Sequence, residues 1–571
     1  MIIKSAFFTL LGFATAAVAS GPPTPWDGYL GDEDCERRIR AWSESDPDRV
    51  RVDRYGTSRD GRPLWVATVS SDLQVADDRP MILVVGGLDA LHPAGTEYAV
   101  RLTEELLRNH GDTLEEVTFL VIPRANPDGI AALMNGVHDG RRGGSRRVDA
   151  DRDGLFDEDG PRDLDGDGVI SMMRLVDPPL DHPATHLSDP GESRLMKTPD
   201  RAKGERATHA MFIEGMDQDR DGRIAEDGVG EVRIDRNFMH LFTEHDAVSG
   251  PYPLSEPEAL ALAELVLDRP RIVGALVFGP HDTAVAMPDL KKKDESGRTP
   301  IGIDAGDEAM HRRLQASWKI NAGQVRSSDE DDRGSLHAWL YAHRGIPTLA
   351  TTGWGRPDHT PEEDAESPDA EAGAETDSES PAPSDPEAAG WLAWSDAVRD
   401  GAGFVEWRSF DHPDLGPVEI GGMVAGFTVN PPVSELDGLA AGQAAFLADL
   451  ASMRPRLVIE GPEVRDLGGG VVRIRMAVRN DGRLPLRTAM ARTNRAIRPL
   501  RVALEIDPDR ILQGSRQELI DGLPADGGRR EVSWTIRRPY KPVRIILDDP
   551  QFGLRTIDVP TITTTLPGDD R

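Results

Sequence analysis

A chain of 571 residues with 38% hydrophobic content has room for roughly two to four domains and enough apolar side chains for a sizeable core, which excludes a chain disordered overall. The net charge of -33 excludes nucleic acid and anionic lipid as partners, because both need a basic surface that displaces counterions. The single cysteine, Cys35, excludes an intrachain disulfide framework, so stability must come from packing and bound ions.

Residues 1–19 read as a secretory leader: Lys4, an apolar run, then small residues at Ala17 and Ala19 before Ser20. This predicts a secreted or periplasmic protein, with no membrane span once the leader is cleaved. From Met81 to Gly87 the run MILVVGG predicts a buried strand turning sharply at its glycines, and Ala99, Leu102 and Leu106 repeat at helical spacing over Thr96 to Leu107. Thr118 to Ile122 predicts a second strand, ending in PRANPDG, and Ile272 to Phe278 a third that is apolar throughout. The expected fold is therefore α/β, a mixed and largely parallel sheet flanked by helices.

Three segments between the second and third strands share one design: Asp149, Asp151 and Asp153 before Gly154; Asp163, Asp165 and Asp167 before Gly168; and Asp217, Asp219 and Asp221 before Gly222. Alternate carboxylates around a glycine turn gather oxygen ligands about calcium, and Ile170 and Ile224 at the eighth position would pin two of the loops. Gly160, Arg174 and Gly228 stand at the twelfth position, so none is a standard EF-hand. The calcium would be structural; the alternative is a solvated acidic loop. Residues 356–389, rich in Pro, Glu, Asp, Ser and Ala, are expected to lack structure and to be an insertion, since Gly421-Gly422 and the amphipathic run Leu439 to Met453 still read as the close of a first domain, 20–453. Beyond it, short alternating stretches such as Val471 to Val478 and Val502 to Ile506 predict a small C-terminal β-sandwich over 454–571.

Four motifs in order, Asp89-x-x-His92, Asn126 to Gly129, Asp235-Arg236-Asn237-Phe238 and Ser255 to Glu258, resemble the pattern of the carboxypeptidase A-like zinc carboxypeptidases (funnelins) over roughly residues 50–355, in a bacterial branch with an Asp-rich insertion. That family's pattern reads His-x-x-Glu, NPDG, Asn-Arg before Asn-Phe, and Ser-Glu-x-Glu. The resemblance implies zinc-dependent removal of C-terminal amino acids, with peptide or protein C-termini as partners. It also implies that Arg236 forks onto the terminal carboxylate beside Asp235, that Arg142, or alternatively Arg141, steadies the oxyanion, and that Tyr341 is a mobile lid. Here the sequence departs from the pattern. Asp89 and His92 exchange the carboxylate and the imidazole of the first ligand pair, the third ligand position falls on Gly279 with His281 two residues on, and Thr352 or Gly353 stands where a general-base Glu is expected.

Three readings follow. The first is a family member that has lost hydrolysis and keeps peptide or carboxylate binding. The second is an active enzyme with a displaced zinc site of Asp89, His92 and His281, which has the right ligand types. The third is a calcium-ordered scaffold or binding module. Bland alternatives stand beside them: Arg236 paired with a structural acid, Tyr341 as core, and Ser255 to Glu258 as a capping box.

Overall fold

The structure, a computed structural model, describes residues 24–147, 156, 159–218, 220–225, 232–323, 328, 330–357 and 382–560. The expected leader, the loop of Asp149, Asp151 and Asp153, Asp219, and residues 358–381 of the acidic stretch lie outside them. The C-terminal end of that stretch departs from expectation. Asp385 accepts a hydrogen bond from the Ala388 amide and caps the helix Pro386–Val398, which buries Trp391 and Trp394. Proline at the first turn and an N-capping aspartate outweigh the polar composition there.

A six-stranded sheet organises the first domain, in the order Val50–Thr57, Pro63–Val69, Thr118–Ile122, Met81–Val85, Ile272–Phe278, Thr348–Thr351. The last four run parallel and the first two form an antiparallel edge. Side chains alternate along the strands, so Ile82 and Val84 enter one core while Met81, Leu83 and Val85 enter the other. The helices Ala94–Asn109 and Val433–Met453 cover the first face; Pro257–Leu267 and Leu336–Arg344 cover the second. A sheet covered on both faces needs strands apolar throughout, which is what these residues supply.

A second sheet, fully antiparallel, has the order Phe404–His412, Gly416–Met423, Met172–Val176, His209–Ile213. It joins the Asp-rich insertion to chain that follows the acidic stretch. The C-terminal region is a β-sandwich of two four-stranded sheets whose inner faces share a core of Val472, Ile474, Trp534, Val502, Ile545 and Leu547. Among the described residues no helix is long and apolar enough to cross a membrane.

Candidate functional site

The parallel strands end together at one edge, with Val85 paired to both Ile122 and Val277 and Thr351 paired to Phe278. The motif residues gather beyond those ends, where open α/β sheets place their ligands. Gly87 turns the chain out of the Met81 strand at a φ of +57°, and a Cβ there would lie 2.5 Å from Thr96 Oγ1. The NPDG motif is the frame for the next loop: Asn126 Oδ1 accepts the Gly129 amide of the helix it caps, and Asn126 Nδ2 donates to Gly143 O. The Ala90 amide then donates to Arg142 O at 3.0 Å, so the backbone itself sets Asp89 beside Arg142.

Asp89, Arg142, Asp235, Arg236 and His281 line one small cleft together with Leu88, Arg233, Pro280 and Glu330. Asp89 Oδ2 accepts from Arg142 Nε at 2.8 Å, and Asp89 Oδ1 accepts the Leu91 amide at 2.9 Å. Arg142 Nη1 donates to Glu330 Oε2 at 2.9 Å, and Arg233 reaches the other oxygen of Glu330 at 3.3 Å. Burial opposes the Arg142 charge, but Asp89 and Glu330 outweigh it and hold its pKa above the ordinary value. Burial likewise pushes Glu330 up, and the Arg142 charge overcomes this and leaves it low. The result is a chain of alternating fixed charges rather than an open ligand set.

The expected zinc set does not converge. His92 is buried, its Nε2 donates to Thr352 O at 2.9 Å, and burial pulls its pKa down to about 4, so the ring is neutral at physiological pH. That bond attaches the ligand loop to the very position where a general base was sought, through backbone rather than through a side chain. The strand Ile272–Phe278 stops before Gly279, and Pro280 turns the chain, so His281 does not continue along it. A Cβ on Gly279 would point at Asp235 Oδ2, 3.7 Å away, and His281 Nε2 lies 3.0 Å from that same oxygen. Among the described residues, Asp89, His92 and His281 do not form a group with donors within ligand distance of one another. The zinc that the family pattern implies therefore does not fit at these positions, because the donors of Asp89, His92 and His281 do not converge, Asp89 is paired with Arg142, and Gly279 has no donor.

Other expectations are corrected too. Tyr341 is core, not lid: it is 4% exposed in the helix Leu336–Arg344, donates to Asp307 Oδ2 at 2.7 Å and accepts the Asp304 amide at 2.9 Å. Arg236 is occupied by the loop beside it, donating to Asp331 O at 2.6 Å, and Arg141 pairs with Asp139. Asp235 accepts the Leu336 amide at 2.8 Å and so caps that helix beside its N-cap Ser335. Ser255 to Glu258 is not a capping box. The helix Pro257–Leu267 has no side-chain cap; Glu256 binds Arg59 and Arg146, Glu258 accepts the Arg59 amide, and Ser255 Oγ is held by Asn237.

Sequence reasoning passed over Arg233, Glu330, Asp332 and His337. Asp332 Oδ1 lies 3.1 Å from His281 Nδ1 and 3.2 Å from His337 Nε2. The burial of His281 disfavours its charge, but Asp235 and Asp332 on either side raise it to about 10. The signal available was an acidic run, Asp329 to Asp332, placed just before a helix whose second residue is a histidine.

Of the expected calcium ligands, Asp163 Oδ1 accepts the Gly166 amide and Oδ2 the Gly168 amide, while Asp165 and Asp167 accept the Asp167 and Val169 amides. Asp217 and Asp221 repeat the pattern with the amides of Arg220, Gly222 and Arg223. Glu214, fully buried, brings a carboxylate within ligand distance of Asp163 and Asp165 from the far end of the strand His209–Ile213. A cleft of about 350 Å³ between the first domain and the sandwich, lined by Asp307, Met310, Arg487 and Leu523, holds none of the motif residues that line the small cleft.

Residues 35–165 match the family model described as zinc carboxypeptidase, and residues 456–560 match a domain of unknown function. Carboxypeptidase SOL1 of Arabidopsis thaliana is 24% identical over 156 residues, 26% of this chain and 30% of that protein. Carboxypeptidase B of Helicoverpa zea is 28% identical over 114 residues, 19% of this chain and 26% of that protein. The matched segments thus span less than a third of either relative. Among solved structures, bovine thrombin-activatable fibrinolysis inhibitor in complex with tick carboxypeptidase inhibitor is 12% identical, with a TM-score of 0.38 over 75% of this chain and 97% of that one. By its ordered motifs and the match over residues 35–165, this part of the chain is similar to the zinc carboxypeptidase family.

Proposed function

We propose that this protein is a family member that does not hydrolyse peptides and whose cleft keeps an affinity for a peptide's terminal carboxylate. The observation that carries the first half is the double engagement of Asp89 by Arg142 and the Leu91 amide, at the place where a metal ligand would have to be free. Thr352 and Gly353 offer no proton acceptor at neutral pH, and loss of a positioned base alone lowers rates by about 10² to 10⁴. What supports the second half is charge. The cleft sets three guanidinium groups, Arg142, Arg233 and Arg236, beside Asp89, Asp235 and Glu330, and a carboxylate is the anion that a guanidinium pairs with most directly.

The test uses two arms. Zinc-supplemented protein should release no C-terminal amino acid from a panel of N-acylated dipeptides, and turnover abolished by a chelator would refute the hydrolytic half. An N-acetylated peptide with a free C-terminus should bind at least about tenfold more tightly than its amide, the equivalent of about 1.4 kcal/mol. Equal affinity would refute the binding half.

We propose as well that the loop Asp163 to Gly168 holds a structural calcium ion with Glu214. Glu214 supports this reading by supplying the further carboxylate that the twelfth position lacks, and by its raised pKa, which comes from burial and then from Asp165 and Asp163. Calcium is expected to raise the melting temperature of chelator-treated protein by several degrees and to do so less in Glu214→Gln. An identical melt with and without calcium would leave the loop a solvated acid turn.

A further inference from the structure

Behind the charged cleft, on the far side of His281, three donors meet that the family pattern does not use. His281 Nδ1, Asp332 Oδ1 and His337 Nε2 lie within 4.8 Å of one another, with His281 and Asp332 3.1 Å apart and Asp332 and His337 3.2 Å apart. Bonds of about 2.0–2.1 Å at a tetrahedral ion put neighbouring donors about 3.3 Å apart, close to the two spacings from Asp332 to the imidazoles. Both rings are buried, and their centroids are 4.6 Å apart at an interplanar angle of 50°.

Hydrogen bonding does not account for this arrangement. Neither nitrogen of His281 makes a hydrogen bond of acceptable geometry, close as the carboxylates are, and His337 Nδ1 is buried without a partner. His311, 2% exposed, has no partner at either ring nitrogen. It lines a small cleft of about 20 Å³ together with Asp332, His337 and Tyr341. Unpaired buried polar atoms are costly, and here they concentrate around one point. A second carboxylate flanks the ring from its other nitrogen, with Asp235 Oδ2 3.0 Å from His281 Nε2. Asp235 in turn is fixed by the Leu336 amide, one residue before His337.

We propose that His281, Asp332 and His337 form a binding site for a divalent first-row transition ion. Two imidazoles and one carboxylate suit zinc, cobalt or ferrous iron, with an open position toward the His311 cleft. The site is distinct from the Asp89, His92 and His281 set, sharing only His281. It does not depend on the absence of hydrolysis. A bound ion without turnover, or turnover without an ion at this site, would separate its fate from that of the proposed function.

The experiment uses the full chain, stripped with chelator and titrated with cobalt(II) and then zinc. One equivalent of cobalt should produce visible absorption bands of low-coordinate geometry that zinc displaces. Asp332→Asn and His337→Gln should each weaken uptake at least tenfold, with melting and far-ultraviolet circular dichroism confirming that the variants are folded. X-ray absorption at the zinc edge of the unmutated protein should show two imidazole donors, a reading that needs no variant to fold. No cobalt band in the unmutated chain, a band kept in both folded variants, or a zinc shell without two imidazoles would each overturn the site and leave a buried His–Asp–His charge relay in its place.

Discussion

Arg142→Ala is expected to destabilise the first domain by about 3–5 kcal/mol, because it leaves two carboxylates facing each other out of water. Asp89 is 5% exposed at its side chain and Glu330 19%, and Arg142 bridges them with bonds of 2.8 and 2.9 Å. Arg233 still reaches Glu330, so the larger part of the loss falls on Asp89, whose remaining partner is the Leu91 amide. Urea unfolding of the variant beside Asp89→Asn/Arg142→Met measures the effect. The double variant should recover most of the loss, since removing both partners of a desolvated pair costs far less than removing one. A single variant within about 1 kcal/mol of the parent would mean that solvent reaches the pair freely, and the picture of a cleft closed by its own charges would fail.

Arg487→Met should act as strongly on the sandwich. Arg487 and Asp549 pair at 2.6 Å with both side chains 1% exposed, and Arg487 also donates to Gln551 Oε1 and Leu486 O. Its loss strands an aspartate that retains only the Gln551 and Phe552 amides, for an expected cost of about 3–5 kcal/mol. Amide hydrogen exchange should show the strands Leu500–Glu505 and Arg544–Asp549 losing protection ahead of the Met81 strand. Uniform loss across both domains, or none, would contradict a local role for the pair.

The central sheet was legible because strands buried on both faces are written as unbroken apolar runs, as Met81–Val85 and Ile272–Phe278 are. The second sheet was not. Met172–Val176 and Gly416–Met423 are short and mixed in polarity, and they pair across more than two hundred positions of chain, for which no local pattern exists. At the site, Asp89, Arg142, Asp235, Arg236 and His281 come together in one cleft. What the motifs could not show was which acid each base would meet, because Glu330 and Asp332 sit in a run of carboxylates that reads as solvated surface. Tyr341 misled for a related reason: a buried tyrosine and a lid tyrosine look alike until the partner of the hydroxyl, Asp307, is known.

Asp307 has one further consequence. Its two oxygens accept the Ala489 and Met490 amides at the start of the helix Ala489–Asn494, while Oδ2 also accepts the Tyr341 hydroxyl. Gln551 Nε2 adds a bond to Ile272 O at the beginning of the central Ile272 strand. The C-terminal module is thus bolted to the same helix whose first turn presents His337 and receives Asp235, so it behaves as a buttress for the charged cleft. Trimming the chain at the domain junction would free one end of that helix, and the loosened histidine would be felt in the cleft before any strand of the sheet came apart.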